Sequence, residues 1–157
     1  MELKIAPEIA TELAHLAAPL EKLPVRLVKP ADIHLTLVAP WSEASIPDAI
    51  EKLGRLASRF GAFSLVFQHV GYGPQPRRLR LLWVDCAAAD EITTLHSALL
   101  QAYGQTDERP FRPHITLARL RANGPAIARR HPIDRPLSLV QRIESIELFQ
   151  SPPTGRD

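Results

Sequence analysis

A single cysteine, Cys86, is all the thiol chemistry this 157-residue chain can offer. That excludes an intrachain disulfide and any CxxC metal site. The residue lies in the apolar run 81–86, where a buried structural thiol is the expected reading. Long hydrophobic runs are also missing. The stretch 79–84 is broken by Arg80, and none approaches the roughly 20 residues of a membrane span. Met1-Glu2-Leu3-Lys4-Ile5 lacks the basic start, apolar stretch and small-residue cleavage site of a signal peptide. A cytoplasmic protein without membrane contact is therefore expected. Low-complexity sequence is absent, and acids are scarce in one region: residues 109–135 hold seven arginines against Asp134 alone.

What is present fits an ordinary globular chain. The hydrophobic fraction is 45% and the charged fraction 23%, enough for one domain over residues 1–157 with a core of its own. The net charge of +2 says little, but its distribution says more. A second basic cluster, Arg77, Arg78 and Arg80, joins the first. Guanidinium groups suit bidentate phosphate contact, so these clusters read either as solvated surface or as a phosphate or RNA footprint.

Apolar spacing predicts helices over 7–20, 45–60 and 90–103, the second carrying Ile46, Ile50, Leu53, Ala57 and Phe60 on its stripe with Ser45 as cap. A short helical segment is expected near 126–130. Strand signals fall at 3–6, 25–28, 33–39, 63–70, 79–86, 114–119, 137–140 and 143–149, with a turn-rich connection over 71–76. This mixture is α+β.

One pattern repeats. Ile33-His34-Leu35-Thr36-Leu37 returns as Pro113-His114-Ile115-Thr116-Leu117, 80 positions on. With six histidines and seven threonines in the chain, chance supplies about 0.3 His-x-Thr occurrences, so two copies with apolar residues at the remaining positions stand out. On a strand, alternation sends His34 and Thr36 to one face and Leu35 and Leu37 to the other, and likewise for the second copy. Two similar lobes related by a pseudo-twofold axis would bring both His-Thr faces to one cleft.

The residue types suit phosphodiester chemistry. Imidazole serves as general acid or general base near neutrality, and two of them on opposite sides of a phosphorus suit in-line displacement. The threonine hydroxyls can bond non-bridging oxygens. On spacing alone either histidine can take either role. No metal-ligand set such as HExxH accompanies them, and no cofactor is expected. Arg112, two residues before His114, shares its parity and is the candidate phosphate-contacting cation. Arg119 has the opposite parity and reads equally as the partner of an acid. Trp41 can stack a base or sit in the core. Arg80 is a further basic candidate. His15, His69, His96 and His131 have no threonine at +2 and read as structural or surface residues.

These motifs resemble the two-histidine phosphoesterase superfamily, most closely its RNA 2′,3′-cyclic phosphodiesterase branch, historically called 2′-5′ RNA ligase. The resembling stretches are 28–37, 73–83, 109–119 and 143–148. Arg109-Pro110-Phe111-Arg112-Pro113-His114-Ile115-Thr116-Leu117-Ala118-Arg119 is the most specific of them. The resemblance implies a bilobal α+β fold with antiparallel sheets around a central cleft and helices outside. It implies hydrolysis of a 2′,3′-cyclic phosphate to a 2′-phosphate, reversible in some members as 2′-5′ ligation. His34 would then protonate the leaving 3′ oxygen and His114 would act as base on water. RNA ends or small cyclic nucleotides are the expected partners of a monomer. The alternatives are a phosphodiesterase on another small cyclic or 2′-5′-linked nucleotide, and a non-catalytic module that binds RNA ends. Two departures stand out. The first strand is short, and residues 151–157 replace a further strand usual in the family, which would leave a sheet edge exposed.

Overall fold

A proline in the first turn opens three of the four helices, where its missing N–H costs nothing. The computed structural model describes residues 1–150, so the expectation for 151–157 lies outside the described residues. Helix α1 is Pro7–Ala17, burying Ala10, Leu13 and Ala17, and it runs on into a 3-10 turn, Ala18–Leu20. Helix α2, Ile46–Ala57, is capped by Ser45, whose hydroxyl accepts from the Asp48 N–H at 3.4 Å. Its fully buried residues are Ala49 and Leu56; of the expected stripe Leu53 and Phe60 pack partly buried against the core, whereas Ile46 and Ile50 are exposed. On that buried side the Tyr103 hydroxyl donates to the Ala49 carbonyl at 2.7 Å. Helix α3, Asp90–Ala102, buries Ile92, Leu95, His96 and Leu99, and α4 is Gly124–Arg130.

Seven strands follow the sequence signals with three differences. They are β1 Glu2–Lys4, β2 Val25–Leu27, β3 His34–Thr36, β4 Phe63–Gln75, β5 Arg78–Cys86, β6 His114–Leu120 and β7 Arg135–Ile143. First, residues 71–75 belong to β4 and are not a connection. Gly71 and Gly73 are glycines because a Cβ on Gly73 would lie 2.5 Å from the Trp83 ring and one on Gly71 2.8 Å from the His69 ring. Second, the two strands expected at 137–140 and 143–149 are one strand plus a single bridge, Glu2 to Glu147. Third, β3 is three residues long, shorter than the signal at 33–39.

All pairings are antiparallel. The strand order is β1-β3-β6-β5-β4-β7, with β2 on the far half of β6, and the sheet curls into a half-barrel. The α+β class and the antiparallel sheet with helices are as the sequence implied. The two motif strands β3 and β6 are direct neighbours at the centre, paired through Leu35 and Ile115. Behind them runs an apolar row in register: Leu3, Leu35, Ile115, Val84 and Val70, one from each of five strands, all fully buried. A side chain of this size contributes about 1.5–3 kcal/mol when fully buried, which fixes the register: a slip by one residue would turn the row out to water. The outer edge of β1 is partly satisfied. Glu2 and Glu147 exchange backbone hydrogen bonds at 2.9 Å, and the Gln141 carboxamide accepts from Ala6 N–H and donates to the Lys4 carbonyl.

Candidate active site

The buried row dictates its opposite. Since Leu35 faces Ile115, antiparallel counting sets Thr36 against His114 and His34 against Thr116. The same registers extend outward. One row across the open face reads His69, Asp85, His114, Thr36, Glu2 and Glu147. The next reads Gly71, Trp83, Thr116, His34 and Lys4. The two histidines thus occupy one diagonal of a four-residue square and the two threonines the other. Strand geometry makes that diagonal about 8 Å between Cα atoms.

The imidazoles are held alike. His34 Nδ1 donates to the Asp32 carbonyl at 2.7 Å, and His114 Nδ1 donates to the Arg112 carbonyl at 2.8 Å. A carbonyl only accepts, so each ring carries its proton on Nδ1 and presents Nε2 to the open face. The echo in sequence is therefore an echo in tautomer. The two Nε2 atoms differ in company. That of His34 lies 3.3 Å from Glu2 Oε2, a contact the ring can donate to only when both nitrogens are protonated. The His114 ring packs on Trp83, with centroids 4.6 Å apart.

Arg112 stands beside His114 as parity implied, with its guanidinium already engaged. Nε and one terminal nitrogen donate to the two oxygens of Asp85 at 3.0 and 3.3 Å, and the other donates to the Pro74 carbonyl. Its planar end lies 4.5 Å over the Trp83 ring. A cleft of about 660 Å³ opens here, walled by Thr36, His114, Arg112 and Trp83 and, deeper, by His96 and Phe111. Its wall does not include His34 or Thr116, which lie on the adjoining part of the face. His96 is buried, donates from Nδ1 to the Leu37 carbonyl at 2.7 Å, and stacks on Phe111 at 3.9 Å with an 11° tilt. A purely structural reading of His96 is incomplete, since its ring also forms cleft wall.

The remaining candidates fall elsewhere. Trp41 packs on Tyr103 at 5.0 Å and donates to Glu43, beside Pro40 of the cleft wall. Arg80 has the parity of the buried Leu82 and is exposed at the strand end. Arg119 overturns its parity argument. A bulge between the Leu82 and Trp83 pairings buries both Leu117 and Ala118 and returns Arg119 to the face of Trp83, opposite Leu81 and Arg26. Among the described residues it has no acid partner. His69 pairs with Asp134, and Tyr72 donates to the His131 carbonyl. Cys86 is buried on the side away from the cleft, and burial, with Asp85 beside it, pushes its thiol up to about 12. No cluster of three or more His, Cys, Asp or Glu side chains able to hold a metal occurs among the described residues. No helix there is long and apolar enough to cross a membrane.

Sequence reasoning passed over Glu2, Asp85 and Trp83. The alternation Leu82-Trp83-Val84-Asp85-Cys86 carried a signal for the latter two. For Glu2 only the strand pairing does.

The model of the 2′-5′ RNA ligase superfamily matches residues 5–151. An RNA 2′,3′-cyclic phosphodiesterase of Aeropyrum pernix is 34% identical over 139 residues, 82% of this chain and 78% of that protein. One of Archaeoglobus fulgidus is 28% identical over 112 residues, 66% of this chain. That match spans only 61% of the Archaeoglobus protein. A crystal structure from Thermus thermophilus has the same fold, with a TM-score of 0.74 at 22% identity over 90% of this chain and 81% of that one. Matched along nearly its whole length, the chain belongs to the 2′-5′ RNA ligase superfamily.

Proposed function

We propose that this protein is an RNA 2′,3′-cyclic phosphodiesterase that opens the cyclic phosphate to a 2′-phosphate by paired-histidine acid–base catalysis. One observation carries the reading: two imidazoles on one diagonal of one sheet face, each with Nδ1 tied to a carbonyl and Nε2 presented outward. His114 takes a proton from water on Nε2, and the water oxygen attacks phosphorus. The bond from phosphorus to the 3′ oxygen breaks, and His34 delivers its Nε2 proton to that leaving oxygen. The Glu2 contact supports this division, because it suits a His34 that arrives doubly protonated. Thr36 and Thr116 donate to the non-bridging oxygens, and Arg112, steadied by Asp85, balances their charge. The names of the Aeropyrum and Archaeoglobus relatives support the substrate class, and with a 5′-hydroxyl in the place of water the same site would join RNA ends through a 2′-5′ bond.

The test is hydrolysis of a nucleoside 2′,3′-cyclic phosphate by the purified chain in EDTA, with the product identified by chromatography. The expected product is the 2′-phosphate, and His34→Ala and His114→Ala should each lower kcat by about 10²–10⁴. Full activity in either variant, or no turnover by the wild type, contradicts the reading.

A further inference from the structure

The face that holds the two His-Thr pairs carries the Arg112–Asp85 ion pair on one flank and carboxylates on the other. Arg112 stands beside His114. At the opposite end of the same row stand Glu2 and, bridged to it through the backbone, Glu147. Bridged antiparallel residues send their side chains to the same side, and like charges set opposite each other are destabilising. Glu2 is half-buried and aimed inward, 3.3 Å from the Nε2 of His34. Lys4, the other charged residue on this face of β1, stands opposite His34 but forms no ion pair with Glu2 among the described residues. A carboxylate beside an anion-binding centre opposes the binding of anions, and the structure keeps it in contact with a reacting nitrogen.

We propose that Glu2 is a charge-discriminating residue of this site, admitting the monoanionic cyclic phosphodiester and expelling the dianionic phosphomonoester that hydrolysis produces. The inference rests on the cyclic-phosphodiesterase reading and names a determinant within it. A cyclic phosphodiester carries one negative charge. The monoester product has a second ionisation near ~6 and carries close to two at neutral pH. A phosphate oxygen bonded to His34 Nε2 puts phosphorus within roughly 6 Å of the Glu2 carboxylate. At such a separation one additional unit of charge weakens binding about three- to tenfold for a site open to solvent. His34 Nε2 carries at most one proton, so Glu2 gives up its contact when the leaving oxygen takes that proton and regains it only after the product has left and solvent has returned a proton to the ring. Glu147 extends the same field from one position further along the row.

Binding at pH 8 of two ligands alike in shape and different by one charge tests this without turnover. The probes are a nucleoside 2′-phosphate and its O-methyl phosphodiester, titrated calorimetrically into wild type, Glu2→Gln and Glu2→Ala. Both substitutions should tighten the dianion three- to tenfold more than the monoanion. Glu144→Gln, which changes an exposed acid paired with Arg142, should leave that ratio unchanged. In turnover the two Glu2 variants should show product inhibition strengthened by the same factor relative to KM. An unchanged affinity ratio in Glu2→Gln and Glu2→Ala overturns the proposal even where wild-type hydrolysis proceeds as expected. A wild type that turns nothing over overturns the parent reading instead.

Discussion

At the scale of single residues, the site is organised around Asp85 as much as around its histidines. Its carboxylate takes both forks of Arg112, Arg112 lies over Trp83, and Trp83 packs on His114. The charge of Asp85 therefore acts at one remove from any substrate, by holding a cation and an aromatic wall in place. Asn at this position keeps the shape but accepts only one of the two guanidinium hydrogen bonds. Charge-assisted bonds of this kind contribute about 1.5–3 kcal/mol, so Asp85→Asn should lower kcat/KM on a cyclic phosphate by about tenfold or more. Arg112→Lys should not preserve activity, because a lysine cannot make the bidentate contact. Unchanged kinetics in Asp85→Asn would show that Arg112 needs no such support.

At the scale of elements, what the sequence revealed was what period 2 and local spacing control. The faces of His34, Thr36, His114 and Thr116 were legible because Leu35 and Ile115 between them must go inward. What it concealed was set by remote partners. Arg119 changes face because a bulge opposite Trp83 consumes one residue of β6, an event no local pattern announces. Gly71 and Gly73 read as turn residues, yet they are strand residues that leave room for the rings of His69 and Trp83. The role of His96 depends on a carbonyl 59 positions away. The α4–β5 contact is of the same kind. A Cβ on Gly124 would sit 2.0 Å from the backbone oxygen of Leu79, which cannot swing aside as a side chain can. Gly124→Ala should therefore cost about 1–3 kcal/mol in urea unfolding, whereas Gly54→Ala, on an open helix face, should not destabilise. Equal stability of the two variants would contradict the close approach.

At the scale of the whole molecule, the fold brings distant parts of the chain to one face. The row containing His114 draws residues from β4, β5, β6, β3 and β1 and ends on Glu147. Gln141 fastens β7 to both ends of the β1–α1 junction, so the N-terminal strand that carries Glu2 is anchored by the C-terminal part of the chain. The proposed mechanism requires that two histidines 80 positions apart address one phosphorus atom. Side-chain ¹H–¹⁵N NMR of the histidines during titration with a nucleoside 2′-phosphate tests it most directly. The Nε2 resonances of His34 and His114 should move together with one dissociation constant and 1:1 stoichiometry, while those of His15 and His131 stay still. Movement of only one of the pair, or two separate dissociation constants, would contradict a shared phosphate.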